Sequence, residues 1–268
     1  MIESINSNNA IGPSGEVFYI PDFLTEEEEQ YVMRKIRDSP QHKWKNLKNR
    51  RLQLIGGQLT GKNILIPEAF PPFVDKYPDI ISRLKNAGIF MTSPHGAPNH
   101  IILNEYLPGQ GIMPHEDGPA YHPIVATLSL GSHAVFHYYQ YKSAERRDGT
   151  GNDPANENEG QPIDPKPALS VLLEPRSVII TTGSFYRSHL HGIEEVSEDV
   201  FSRGDGVTGP QIQGTGVEIA NWKLVSGSKF KDAFLNGGSL KRDVRYSLTC
   251  RDVVRVVRNT SALYPWRP

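Results

Sequence analysis

His115 and Asp117 stand two residues apart in the segment GIMPHEDGP. In an extended strand, residues i and i+2 point to the same face, so this imidazole and carboxylate can grip one divalent metal together. The pair alone says little, because the chain has nine histidines and chance spacings of this kind are common. A further ligand is available in Ser188-His189-Leu190-His191-Gly192-Ile193, where either histidine has the right chemistry. Two histidines and one carboxylate on separate strands make the facial arrangement of non-haem Fe(II) oxygenases, with positions left open for a cosubstrate and oxygen. A catalytic zinc accepts the same donors, so these residues leave the metal open.

The segment Arg245-Tyr246-Ser247-Leu248-Thr249-Cys250-Arg251 carries the second chemical signal. As a strand it sends Arg245, Ser247, Thr249 and Arg251 to one face and Tyr246, Leu248 and Cys250 to the other. A face of two hydroxyls and two arginines asks for a polar ligand, and a guanidinium fork suits a carboxylate. The two arginines are ~20 Å apart along the strand, so they hold different groups. Two surface arginines on an edge strand would give the same spacing. Further upstream, Lys43, Trp44, Lys45, Lys48, Arg50, Arg51 and Lys62 fall in a stretch with no acid between Asp38 and Glu68. That mixture suits phosphate contacts and base stacking, and it equally suits a solvated loop.

These residues need elements to position them. From Asn99 onward, short runs rich in Val, Ile, Leu and Tyr recur at 100–106, 111–117, 124–130, 134–141, 168–173, 177–182, 187–193, 217–225 and 244–251. Gly, Pro, Asn and Asp separate most of them, and no ordinary amphipathic helix lies between. The pattern predicts a mainly β (α+β) fold, an antiparallel sandwich or jelly roll of about eight strands. Ahead of it, Thr25 with Glu28 forms a capping box for a helix that ends at Asp38-Ser39-Pro40. The acidic run there is a helix N-terminus rather than a metal site. Phe73 to Leu84 have helical spacing, and Pro78 must split them into two short turns.

The expected organisation is a flexible tail at 1–15, an N-terminal helical extension at 16–98 with the basic stretch 41–62, a β domain at 99–258 and a tail at 259–268. Loop insertions are expected at 143–167 and 197–240, where apolar residues are sparse or Gly and Ser abound.

Composition narrows the function classes. Lys plus Arg is 29 and Asp plus Glu is 30, a net charge of −1, which excludes a histone-like polycation. A local basic patch remains compatible with a nucleic-acid partner. The single cysteine, Cys250, allows no internal disulfide and no CxxC zinc site. No apolar run approaches the roughly 18 residues of a membrane span, and no secretory leader is expected. The reading is a soluble monomer of the cytoplasm, the nucleus or both.

Taken in order, Asn104-Glu105-Tyr106 with Pro108-Gly109, His115-x-Asp117, His191-Gly192-Ile193 and Arg245-x-Ser247-x-x-x-Arg251 resemble the AlkB family. The phrases NEYLPGQGIMPHEDGP and VLLEPRSVII are most similar to its sixth eukaryotic subgroup. The resemblance spans 99–251 and implies a double-stranded β-helix (jelly-roll) core with a basic lid loop over the site. It implies Fe(II) held by His115, Asp117 and His191, with 2-oxoglutarate as cosubstrate and O2 as oxidant. Arg245 and Tyr106 would grip the distal carboxylate, and Asn104 and Arg251 would lie near the iron-chelating end. Ser247 stands where better-characterised members usually carry Asn, and Pro119 stands where the bacterial founding member has an acid. The base-recognition chemistry of that member therefore does not carry over.

The implied reaction is oxidative demethylation of N-methylated bases in single-stranded or flipped-out RNA or DNA. Lys43, Trp44, Lys45, Lys48, Arg50 and Arg51 are the candidate substrate contacts, because the family places its nucleotide-recognition lid there. An oxygenase acting on a protein substrate, and a modified-RNA-binding protein with weak or no catalysis, are the alternatives.

Overall fold

The computed structural model describes residues 7–142, 161–203 and 209–257. The N-terminal part runs β1 (Ala10–Ile11), β2 (Val17–Ile20), α1 (Glu26–Arg37), β3 (Lys45–Leu47), β4 (Arg50–Ile55), β5 (Gly57–Leu59), β6 (Leu65–Pro67), α2 (Pro72–Asp75) and α3 (Ile80–Asn86). The middle contributes β7 (His100–Tyr106), β8 (Ile112–His115), β9 (Tyr121–Leu130), β10 (Ala134–Tyr139), β11 (Leu169–Leu173), β12 (Val178–Thr181), the short α4 (Gly183–Arg187) and β13 (Leu190–Ile193). The last part holds β14 (Glu198–Arg203), β15 (Pro210–Ile212), α5 (Ser228–Asn236), β16 (Ser239–Lys241) and β17 (Arg245–Val253).

Two antiparallel sheets make the expected jelly-roll sandwich. The larger has the order β1-β2-β12-β9-β17-β7-β4-β3, and the smaller has β11-β10-β13-β8. Period-two alternation divides each strand between two environments. On β17, Tyr246, Leu248 and Cys250 join an apolar cluster with Val32 and Ile36 of α1 and Ile80 and Leu84 of α3. The helices therefore cover the outer face of the large sheet, and the other face, with Arg245, Ser247, Thr249 and Arg251, is left for a cavity. Between the two sheets, Val17, Tyr19 and Ile179 meet Tyr138, Leu169 and Val171 of the small sheet.

The capping box at α1 is present in full. Thr25 Oγ1 accepts from the Glu28 N–H, and Glu28 accepts from the Thr25 N–H at 2.9 Å. Glu28 and Glu29 are also buried: Glu28 pairs with Arg83 of α3, and Glu29 with Arg176 at 3.1 Å and the Gly131 N–H at 2.8 Å. The acidic run thus starts the helix and bolts it to the sheet. Pro78 separates α2 from α3 as its lack of an N–H requires.

Four expectations change. Residues 10–11 of the supposed flexible tail form β1 on the edge of the large sheet, because Ile11 finds a buried place beside Val17 and Leu169. The stretch 41–62 is not a plain loop: β3 and β4 form a hairpin that extends the large sheet past β7. The supposed loop insertion 197–240 folds into β14, β15, α5 and β16. Phe230, Ala233 and Phe234 of α5 pack with Phe201 and Ile212 against Val135 and Leu172, the outer face of the small sheet. No strand spans 217–225, which is mostly turn. There the Asn221 side chain acts as the strand's substitute, accepting from the Leu172 N–H at 3.0 Å and donating to its carbonyl at 2.7 Å. Most of the expected insertion 143–167 and all of the tail 259–268 lie outside the described residues.

Candidate metal centre and cosubstrate cavity

A cavity of about 110 Å³ opens between the two sheets. The small sheet supplies its metal-binding side. His115 ends β8 and lies directly across from His191 on β13, and Asp117 follows two residues after His115. Direct cross-strand partners bring side chains close, and the two imidazole centroids are 4.4 Å apart. One ligand atom from each of His115, Asp117 and His191 falls within 4.8 Å of the others. Three donors at that mutual distance fit a single divalent ion.

The protonation states fit as well. Burial lowers the pKa of His115 and drives that of His191 down to about 4, so both rings are neutral donors near pH 7. The His115 Nδ1–H donates to the Met113 carbonyl at 2.9 Å, which leaves Nε2 as the free lone pair. Phe136 stacks on His191 at 5.4 Å and fixes its plane. Asp117 gives one oxygen to Arg251, while its Oδ2 is buried with no partner. An unpartnered buried carboxylate oxygen beside two imidazoles is what a divalent cation would satisfy.

His189 does not join the triad. It is held by Gln140 at 2.9 Å and the Ser184 carbonyl at 3.1 Å, and its ring stacks on Phe185 at 4.2 Å.

The large sheet supplies the opposite wall. Its register sets rows across three strands: Arg245 beside Tyr106, and Ser247 between Asn104 and Ser129. All of these but Ser129 line the cavity, together with Arg251. Arg245 is buried. Its Nη2 donates to Ser129 Oγ at 2.8 Å, and its Nε has no partner. Burial pulls its pKa down to about 10, which leaves it charged at neutral pH. Tyr106 lies under the guanidinium, with 5.6 Å between Arg245 Cζ and the ring centre. Nε and Nη1 of Arg251 are also unpartnered. Buried guanidinium N–H groups without acceptors, facing the cavity, fit a carboxylate ligand.

The basic stretch divides. Lys43, Lys45 and Lys48 are exposed on the β3–β4 hairpin and the turn before it. Trp44 is no stacking platform: only 9% of it is exposed, it belongs to the apolar core, and the Arg51 guanidinium covers its ring at 4.2 Å. Arg51 in turn makes a two-pronged pair with Glu105 at 2.6 and 2.7 Å, so it is committed to the fold. Arg50, one residue earlier, turns the other way into the cavity, where its Nε donates to Asn104 Oδ1 at 3.0 Å. The sequence alone predicts a loop here and gives no register, whereas β4 alternation sends the neighbouring arginines to opposite faces. Phe136 and Ser129, also missed, give no local signal at all.

The facial triad facing a buried arginine wall on a jelly roll defines an oxygenase-type metal site. Residues 16–251 match the 2OG-Fe(II) oxygenase superfamily. A zebrafish (Danio rerio) protein named "Probable RNA/DNA demethylase ALKBH6" is 36% identical over 242 residues, covering 90% of this chain and 87% of that one. The chain therefore belongs to the 2OG-Fe(II) oxygenase superfamily and, within it, to the AlkB family. Fe(II), 2-oxoglutarate and O2 are the cofactor and cosubstrates of that superfamily. The "Uncharacterized protein L905" of Acanthamoeba polyphaga mimivirus is 25% identical over 250 residues, 92% of this chain and 90% of its own. The solved structure of OsALKBH1 shares 15% identity, covers 88% of this chain and 98% of that chain, and superposes with a TM-score of 0.48.

Proposed function

We propose that the protein oxidatively demethylates N-methylated bases in RNA or DNA. The observation that carries this is the joint presence of the His115–Asp117–His191 triad, the arginine-lined cavity and 36% identity to a probable RNA/DNA demethylase. His115, Asp117 and His191 would hold the iron. Arg245 and Tyr106 would take the distal carboxylate of 2-oxoglutarate, with Asn104, Ser247 and Arg251 toward the metal-proximal end. When bound, iron, 2-oxoglutarate and O2 would supply hydroxylation of a substrate C–H bond, one oxygen atom of O2 going to the substrate and the other to the succinate formed with CO2; an N-methyl group so hydroxylated is lost as formaldehyde, leaving N–H.

The chain's own residues prepare that chemistry in three ways. The Met113 carbonyl holds the His115 proton on Nδ1, so the ring presents its lone pair. Arg245, charged and desolvated, gives a carboxylate a stronger partner than water would. The apolar lining from Ile102, Ile112, Val125, Phe136 and Ile193 limits the water that reaches the reacting carbon. Outside the cavity, the exposed Lys43, Lys45 and Lys48 provide charge for a phosphate backbone. Among the described residues no helix is long and apolar enough to cross a membrane.

The test is to incubate the iron-loaded protein with 2-oxoglutarate and a panel of methylated single-stranded oligonucleotides, reading succinate and formaldehyde together. Stoichiometric formaldehyde with one methylated base establishes the reading. Succinate stimulated instead by a protein substrate would move the activity to polypeptides, and tight oligonucleotide binding with neither product would make the protein a reader.

A further inference from the structure

Arg50 has a position in the cavity that the triad and the Arg245–Arg251 face do not account for. Arg51 opposes Glu105 and Leu52 opposes Asn104, so the register brings Arg50 beside Tyr106. On its other side Tyr106 opposes Arg245 of β17. Tyr106 thus lies between two arginines, each about 4.8 Å away in the hydrogen-bonding direction. The Nε bond to Asn104 aims the Arg50 guanidinium inward, and it is the one hydrogen bond of this side chain among the described residues. Both of its Nη groups are left to donate. The Tyr106 hydroxyl senses both charges: burial raises its pKa, and Arg245 and then Arg50 oppose the rise.

Charge and shape point the same way. Three arginines, Arg50, Arg245 and Arg251, and a single carboxylate, Asp117, line the cavity. The excess of two positive charges matches a dicarboxylate before any metal is counted. Ser247, the residue opposite Asn104, offers one short hydroxyl, so Arg50 rather than Ser247 braces the Asn104 amide.

We propose that Arg50 is a cosubstrate-binding residue whose guanidinium pairs with the distal carboxylate of 2-oxoglutarate, from the side of Tyr106 opposite Arg245. This rests on the reading of the cavity as the 2-oxoglutarate chamber. It moves Arg50 from the nucleic-acid surface to the cosubstrate, and makes the β3–β4 hairpin part of the cosubstrate's wall.

The experiment is calorimetric titration of the Mn(II)-loaded full chain with 2-oxoglutarate and with 2-oxobutyrate, a keto acid that lacks the distal carboxylate. Wild type, Arg50→Gln, Arg50→Lys and Arg245→Gln are compared after a thermal unfolding check. We expect Arg50→Gln to weaken 2-oxoglutarate binding about tenfold or more, as for a lost charged hydrogen bond. Its affinity for 2-oxobutyrate should not change, and Arg50→Lys should fall between. Unchanged 2-oxoglutarate binding in Arg50→Gln, with a clear loss in Arg245→Gln, would overturn the assignment and leave the chamber standing. An equal loss for both keto acids would also overturn it, since Arg50 would then act at the metal-proximal end. Unchanged binding in Arg245→Gln would overturn the chamber itself and the Arg50 proposal with it.

Discussion

Asp117 and Arg251 form a buried ion pair that uses one of the two carboxylate oxygens and one of the three guanidinium nitrogens. One Asp117 oxygen takes Arg251 Nη2, and the other has no partner, as do Nε and Nη1 of the arginine. Removing one member leaves the other buried and uncompensated. In metal-free protein, Asp117→Ala is expected to lower stability by about 3 kcal/mol. Replacing Arg251 with Met in the same chain should recover most of the loss. Urea unfolding of the two variants checks this, and additive losses would contradict the coupling.

Trp44 supplies a test of the corrected surface. Its ring is in the core under Arg51, so Trp44→Ala should destabilise by about 3 kcal/mol, as large core truncations do. Oligonucleotide affinity at a temperature where the variant is folded should be unchanged. A selective loss of affinity without a loss of stability would return Trp44 to a stacking role.

Acid should destabilise the fold in a defined window. Burial lowers the pKa of His100, His137 and His191 to about 4 in each case. In the unfolded chain such groups titrate near 6.5. Between these values the unfolded state binds more protons, so stability falls as pH drops from about 6.5 toward 4, and these groups add no further loss below that. Each contributes a slope of at most about 1.4 kcal/mol per pH unit within the window. Urea midpoints from pH 7 to 4 give the curve. His137→Gln, which can keep a bond to Ser170 Oγ, should make it shallower.

The exposed lysines carry the nucleic-acid side of the account. Changing Lys43, Lys45 and Lys48 to Glu should weaken single-stranded oligonucleotide binding and lower the salt slope by about 1 for each lost phosphate contact. Binding and salt dependence equal to wild type would remove the hairpin from the interface.

Much of this was legible in the sequence wherever the signal was local. Alternation in Arg245–Arg251 separated the cavity wall from the core, the His115-x-Asp117 spacing put two candidate ligands together, and Thr25 with Glu28 marked the helix start. Residues whose environment depends on distant partners were not. Trp44 is covered by an arginine that Glu105 holds, and Asn221 turns toward a strand about fifty residues earlier in the chain. The α5 region reads as a loop because Gly and Ser flank a nine-residue helix whose apolar side makes sense only once Val135 and Leu172 face it. Arg50 and Arg51 differ by one position and by everything else, which only the register of β4 on β7 reveals.

The central claim is that His115, Asp117 and His191 hold iron beside a chelated 2-oxoglutarate. Anaerobic titration of metal-free protein with Fe(II) and then 2-oxoglutarate, followed in the visible range, tests it most directly. Wild type should develop the iron-to-ketoacid charge-transfer band at one equivalent of iron, and folded Asp117→Ala should not. No band in well-folded wild type, or the same band in Asp117→Ala, would contradict the account.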